Sequence, residues 1–146
     1  MSKMSEWITP KTDWKGYVDG NGEYIGDRFN ASDYNRIKNN LDVLSTLALK
    51  IYDHIYPVSM GPDKKPGDYF FADEINIMEK NLETINKKTL NYDVGETKEY
   101  YDNDKTMDFR ELNRLEKATL DLYNSLYNQL EGRRMFTWNF GIRGNL

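Results

Sequence analysis

The sequence repeats one helix-starting pattern three times, and this repetition constrains the fold more than any other feature. Residues 29–44 (FNASDYNRIKNNLDVL) return 41 residues later as residues 70–85 (FFADEINIMEKNLETI). A shorter third copy occupies residues 112–116 (LNRLE). Self-similarity at a period of tens of residues is typical of chains that use one structural unit several times. The pattern therefore predicts three related helices.

Apolar residues in each copy recur at spacings of three and four, which place them on one side of a helix. The first predicted helix begins near residues 30–32 and runs for about 25 residues, a rod of roughly 37 Å, stopping before Pro57. The second spans residues 72 to about 88, and the third spans residues 108 to 132, with Gly132 as its C-cap. The predicted bundle seam consists of Tyr34, Ile37, Leu41 and Leu44, then Ile75, Met78, Leu82 and Ile85, then Leu112, Leu115, Leu122 and Leu126.

The two ends of the chain do not follow the helical period. Residues 17–25 (YVDGNGEYI) contain Asp-Gly and Asn-Gly pairs, which favour the positive φ angles of a tight turn and predict a small hairpin. In the tail, Phe136, Trp138 and Phe140 alternate with other residues, which is a β-strand period. We therefore predict a mainly α fold with an N-terminal arm and hairpin at residues 1–28. A three-helix bundle follows at residues 29–132 and an aromatic C-terminal strand or tail at residues 133–146.

Composition excludes several classes of function. The chain has no cysteine and one histidine, so thiol catalysis and the usual zinc sites cannot be built. The formal net charge is −4 and the basic residues form no stripe, which argues against nucleic-acid binding. No apolar run approaches the ~20 residues of a membrane span. The N-terminal residues also lack the apolar region of a signal peptide.

No catalytic or metal-binding motif stands out, and we predict no enzyme, no cofactor and no metal. Asp19, Asn21 and Glu23 alternate as in a calcium loop, but Tyr24 and Asn30 replace its required glycine and final acid. His54 lies near the end of the first predicted helix, where a positive charge suits the helix dipole. Two carboxylates suffice for a glycosidase, so an enzyme acting on cell-wall glycan remains an alternative.

Equivalent asparagines flank the predicted seam in all three copies, at Asn35, Asn76 and Asn113. A buried asparagine fixes the register between helices because it demands a polar partner. The other interpretation is plain surface polarity in an asparagine-rich chain. The sequence leaves both open.

Aromatic residues predict where another protein would bind. The aromatic share is 14% and Tyr supplies 11 residues, a residue type that suits contact surfaces as well as the edge of a thin core. The third helix carries a second apolar stripe that could serve the other helices and another chain. The predicted interface residues are Trp7, Trp14, Tyr123, Tyr127, Phe136, Trp138 and Phe140.

Residues 7–14 (WITPKTDW), followed by Phe29-Asn30 and residues 33–41 (DYNRIKNNL), resemble a module found in virion proteins of phages and prophages of Gram-positive bacteria. The module has the form W-x-x-P-K-T-x-W … F-N-x-x-D-Y-N-R-I-x-x-N-x-x-x-L and is similar to pieces of tail, baseplate and fibre proteins. The resemblance covers about the first third of the chain closely and the helical repeats loosely.

The resemblance implies a structural protein of a bacteriophage virion, made in the bacterial host cytoplasm and located in the particle. Its expected partners are other virion proteins, in a homo-oligomer or another symmetric assembly, without nucleic acid or membrane. A different class of function also fits the composition: a small acidic binding or adaptor protein directed at a host protein.

Overall fold

The protein is mainly helical, with three helices and a two-stranded antiparallel hairpin near its N-terminus, as the sequence predicts. The computed structural model describes residues 6–52, 61–101 and 109–144; for residues 18, 24 and 133–144 it describes the backbone alone. Strands β1 (Gly16–Val18) and β2 (Tyr24–Gly26) pair with Tyr17 opposite Ile25. Helices α1 (Ala31–Leu49), α2 (Ala72–Lys88) and α3 (Phe109–Gly144) follow.

All three helices run in the same direction. At one end, the rings of Phe29 and Phe70, which precede α1 and α2, lie 4.9 Å apart between centroids. Near the same end, Arg36 of α1 pairs with Glu116 of α3. At the other end, the Tyr52 hydroxyl bonds to Gln129 of α3, and the Tyr92 hydroxyl bonds to Ser125. The starts of the three helices therefore lie together, and α1 and α2 end beside the middle of α3.

A parallel bundle requires each connection to carry the chain back along its full length. The connections cover residues 50–71 and 89–108, long enough at ~3.3 Å per extended residue to return along helices of 17 and 19 residues. Short connections would have forced neighbouring helices to be antiparallel. The N-terminal segment, residues 6–15, also runs along the bundle, in contact with α1 at Asn40 and with α3 at Asn113.

The core lies on the bundle axis, where each helix contacts the other two. All twelve residues of the predicted seam are buried there, and none is more than 7% exposed. Thr119, which occupies a seam position in α3, is also buried and donates its hydroxyl to the Leu115 carbonyl within the helix. Trp14, from the N-terminal segment, completes the same apolar cluster.

The predicted C-terminal strand is wrong, because residues 133–144 continue helix α3. Gly132 does not end the helix, since it lacks the positive φ angle that a glycine C-cap adopts. A helix extends by one internal hydrogen bond per residue, whereas a strand needs a partner. The described sheet contains only β1 and β2, which pair with each other. Helix α3 thus crosses the boundary that we placed at residue 132.

Helix α1 is also shorter than predicted. It ends at Leu49, with Lys50 as its C-cap, rather than near residue 55. Ile51 is still buried after the helix ends, and Tyr52 turns toward α3 to bond Gln129. His54 and Pro57 lie outside the described residues.

The burial pattern of α1 predicts a contrast between two identical substitutions. Leu41 is 1% exposed and Leu49 is 50% exposed, on the same helix. Leu41→Ala should lower the free energy of unfolding by about 2–5 kcal/mol, because it leaves a cavity in the core. Leu49→Ala should change it by no more than about 0.5 kcal/mol. Urea unfolding followed by circular dichroism measures both, and equal losses would contradict the assigned core.

Candidate functional site

The most distinctive polar feature of the molecule is a repeated contact that we call the asparagine clasp. In a clasp, one asparagine side chain donates its amide N–H to the carbonyl of a residue and accepts a hydrogen bond from the N–H of that same residue. The side chain thereby satisfies both backbone groups, as a neighbouring strand would. The three equivalent asparagines each form one, with distances of 2.7–2.9 Å: Asn35 with Lys64, Asn76 with Tyr100, and Asn113 with Trp14.

The clasps follow a cyclic order around the bundle. The segment that leads into α2 is held by α1, and the segment that leads into α3 is held by α2. The segment that leads into α1 is held by α3, which closes the cycle. Each unit of the repeat is therefore an extended segment followed by a helix. Plain surface polarity therefore does not describe these asparagines, but neither does a buried contact between helices. Each asparagine is half-buried and binds an extended segment.

Two further clasps use asparagines outside the equivalent set. Asn40 of α1 holds Ile8, at 3.0 and 2.7 Å, and is only 1% exposed. Asn86 holds Tyr92 where the chain turns back after α2, at 2.7 and 2.8 Å. Asn40 and Asn113 together line what we call the α1–α3 groove, which the N-terminal segment fills.

Glu116 is the electrostatic centre of this groove. Its carboxylate is 1% exposed and accepts hydrogen bonds from the backbone N–H of Lys11 and the indole N–H of Trp14. It also receives both Nε and Nη2 of Arg36, at 2.7 and 3.0 Å. A buried carboxylate is stable only when its oxygens are well supplied with donors. Glu116 thus joins α3, α1 and the N-terminal segment at one point.

Two carboxylates, those of Glu116 and Asp33, stabilise the positive charge of Arg36. Burial lowers its pKa, but hydrogen bonds and charges from Glu116 and Asp33 outweigh burial, so its pKa lies above the ordinary value. Asp33 pairs with Arg36 at 2.9 Å. Its side chain also accepts the backbone N–H of Asn30, the N-cap of α1, as one half of a capping box. The start of α1 and the α1–α3 groove are therefore one connected polar network.

The corresponding pair between α3 and α2 is less complete. Arg114 of α3 bonds to Glu79 of α2 and to Glu111, and it donates to the Val94 carbonyl. Burial raises the pKa of Glu79 more than Arg114 lowers it. Among the described residues Glu79 Oε2 has no hydrogen bond, although the backbone of Lys98 joins Arg114 in partly lowering the pKa of Glu79. This pair therefore stabilises the fold less than the Arg36–Glu116 pair.

The third position of the cycle has no ion pair of this kind. Ile77 follows Asn76 where arginine follows Asn35 and Asn113, and Lys38 stands where glutamates stand at 79 and 116. Lys38 instead donates to the Gly61 carbonyl and pairs with Asp63 of the following connection. Lys64, in the same connection, pairs with Glu74 at the start of α2 at 2.7 Å. Between α1 and α2, residues of the connection therefore make the ion pairs that residues of a neighbouring helix make at the other two positions.

The predicted interface residues separate into three groups. Trp14 is buried in the core, so it is not a surface residue. Trp7 stacks on Tyr123 with ring centroids 3.9 Å apart, and Tyr123 stacks on Tyr127, which is 46% exposed. Phe136, Trp138 and Phe140 lie on the C-terminal part of α3, and their side chains lie outside what the structure describes.

The candidate calcium ligand Asp19 and the most buried carboxylates are held by other groups of the described chain. Over residues 6–52, 61–101 and 109–144, no three Asp, Glu, His or Cys side chains come together to bind a metal. Asp19, weighed above as a calcium ligand, accepts the backbone N–H groups of Asn21 and Glu23 within the hairpin turn. The two most buried carboxylates, Glu79 and Glu116, each pair with an arginine. In the part of the chain that is described, no helix has the length and apolarity to cross a membrane.

Sequence reasoning singled out the three equivalent asparagines but missed the charges beside them. In the first and third copies an arginine follows the asparagine directly, and in the second and third a glutamate lies three residues after it. Opposite charges at fixed positions of repeated helices are a signal for pairing between units. The Asn40 clasp also had a signal, since Asn81 occupies the equivalent place in the second copy and is 2% exposed.

No protein-family model, no curated protein and no solved structure matches the chain.

The clasp geometry predicts a specific loss on substitution. Asn113→Ala removes two hydrogen bonds and leaves the backbone N–H and carbonyl of Trp14 without them, so stability should fall by about 1–3 kcal/mol. Asn124→Ala, at an exposed position of the same helix, is the matched control and should stay within about 0.5 kcal/mol of the parent. Thermal and urea unfolding give both values. Indistinguishable values would show that the clasp contributes nothing.

The two buried glutamates should respond differently to the same change. Glu116→Gln places an amide among several donors and should cost about 3 kcal/mol or more. Glu79→Gln should cost no more than about 1.5 kcal/mol at pH 7, because burial already disfavours its charge. A larger cost for Glu79→Gln would contradict the assignment of Glu116 as the electrostatic centre.

The raised pKa of Glu79 also predicts a pH dependence. A carboxyl whose pKa is higher in the folded chain than in the unfolded chain stabilises the fold when protonated. That contribution is complete below the ordinary value of 4.5 and is lost as pH rises through the folded pKa. Stability of the parent, measured relative to Glu79→Gln, should therefore fall as pH rises from 4.5 toward neutrality. A relative stability that rises over this range would reverse the assigned sign.

Proposed function

We propose that this protein is a structural component of a bacteriophage virion that acts by protein–protein assembly in the tail, baseplate, collar or a fibre attachment. The proposal starts from the resemblance of residues 7–14 and 29–41 to a module of virion proteins. The chain is proposed to reside in the particle, in contact with other virion proteins, and to have no enzymatic activity.

The observation that carries the proposal is what the residues of this module do. Trp14 fills the core and donates to Glu116, and Phe29 packs on Phe70. Asn30 and Asp33 cap α1, and the next residues of the module supply two clasps and the Arg36 ion pair. The polar residues that define the module thus bind other parts of the same chain. This use supports a scaffold, since a catalytic module would direct reactive groups into a cleft.

The C-terminal part of α3 is the proposed contact with other subunits. Helix α3 has 36 residues, about 54 Å at ~1.5 Å per residue, and it continues well past the ends of α1 and α2. Residues 133–144 include Met135, Phe136, Trp138, Phe140 and Ile142. A projecting helical segment as short as residues 133–144 is marginal in water without packing, and aromatic residues are mediocre helix formers. Packing against another subunit in a symmetric oligomer would stabilise it.

Light scattering coupled to size exclusion tests this contact. The parent chain has a mass of 17.2 kDa and should elute as a multiple of it. The Trp138→Ala/Phe140→Ala variant should shift toward the monomer, because it removes apolar contact area. Tyr69→Ala, which changes an aromatic residue that is 81% exposed in a connection, should not shift. A parent that is strictly monomeric and binds no co-expressed virion protein would contradict the proposal.

Mass spectrometry of purified particles tests the location. Peptides of this chain should be present at a fixed ratio to other virion proteins after gradient purification. Recovery from the host lysate only, bound to a host protein, would favour the small acidic adaptor instead. Zymography on cell-wall glycan should show no clearing, and a cleared zone would favour the glycan-cleaving alternative.

A further inference from the structure

The three clasped segments are not equivalent in how they are tied to the bundle. The segment around Lys64 lies between α1 and α2, and the segment around Tyr100 lies between α2 and α3. Each is therefore fixed to a helix on both sides. The N-terminal segment closes the cycle between the last helix and the first, and within the described residues it is joined to a helix only at its C-terminal side.

The contacts that hold the N-terminal segment do not depend on that covalent connection. Asn40 and Asn113 hold the backbone of Ile8 and Trp14, and Glu116 receives the Trp14 indole. The Asn39 amide donates to the Glu6 carbonyl, and Trp7 stacks on Tyr123. An identical segment from a second copy of the chain would make every one of these contacts. Trp14 is buried in the core cluster, so an empty groove would expose apolar surface and is disfavoured relative to exchange.

The connection between the segment and α1 contains the hairpin, so it would become longer if the hairpin unfolded. Residues 16–26 fold back as the hairpin, whose strands have three residues each. Its cross-strand pair Tyr17 and Ile25 is 60% and 42% exposed, so these side chains contribute little to the core. A two-stranded hairpin is marginally stable on its own, and the contacts that tie its base, from Lys15 and Lys11 to the Asp27 side chain, are solvent-accessible. Unfolding it would let residues 16–30 reach roughly 50 Å at ~3.3 Å per residue, which exceeds the length of α1, about 28 Å for 19 residues.

We infer that the α1–α3 groove is an interaction surface for the N-terminal segment of a second copy of this chain, with the hairpin as the hinge of the exchange. Reciprocal exchange gives a closed dimer, and onward exchange gives an open chain of copies. The inference rests on the proposed assembly role and names the part of the molecule that links copies.

Crosslinking between chains tests the exchange. The sequence has no cysteine, so introduced thiols are the only ones. Full-length Trp7→Cys and Tyr123→Cys chains with different tags are co-expressed, purified together and treated with a short thiol crosslinker. Exchange predicts several-fold more crosslinked heterodimer than for Trp7→Cys with Glu96→Cys, whose side chain at residue 96 is 84% exposed on a connection. A yield equal to that control overturns the inference.

A second pair leaves the Trp7–Tyr123 stack in place. Glu6→Cys and Asn39→Cys lie at the outer edge of the groove, and they remove only the hydrogen bond from the Asn39 amide to the Glu6 carbonyl. They should crosslink between chains in the same way. A double Trp7→Cys/Tyr123→Cys chain verifies that the geometry permits the link. If only this internal link forms while the parent is still oligomeric through the C-terminal part of α3, exchange is excluded and the proposed function stands.

Discussion

The structure depends on how the chain runs back from the end of one helix to the start of the next. Three parallel helices oblige the chain to travel back along the bundle, and backbone N–H and carbonyl groups along that path need partners. The asparagine clasps supply them, since each side chain satisfies both groups of one residue. Because the clasping asparagine occupies the same place in each helix, every returning segment is fixed at a corresponding level. The clasps thereby set the register between units.

Parallel packing has an electrostatic consequence that the repeat also addresses. The positive ends of three helix dipoles lie at the same end of the molecule, an unfavourable arrangement unless negative charge is close by. Asp33, Glu74 and Glu111 occupy equivalent positions in the first turns. Glu116 then combines a buried ion pair with contacts to the N-terminal segment. Asp33 and Glu111 also pair with the arginine of their own helix that reaches a glutamate of another helix.

Sequence patterns predicted the helices, the hairpin and the set of apolar side chains on the axis, because these depend on local spacing. The direction of the helices was not predicted. It depends on the long connections at residues 50–71 and 89–108. The sequence marks these residues as loops, but their length also matters, because only long connections allow consecutive helices to be parallel. The aromatic tail was mistaken for a strand because alternation alone does not supply a strand with a partner. The aromatic side chain of Trp14 indicated an interface residue. In the structure Trp14 is buried in the core and donates its indole N–H to Glu116.

The central claim is that extended segments without regular secondary structure are held by single asparagine side chains. Amide hydrogen exchange of Trp14, Lys64 and Tyr100, followed by NMR, tests it most directly. The account predicts that these three amides exchange much more slowly than the amide of the exposed neighbour Tyr101, and that Asn76→Ala removes the protection of Tyr100 selectively. Exchange of all three at the rate of exposed connections would contradict it.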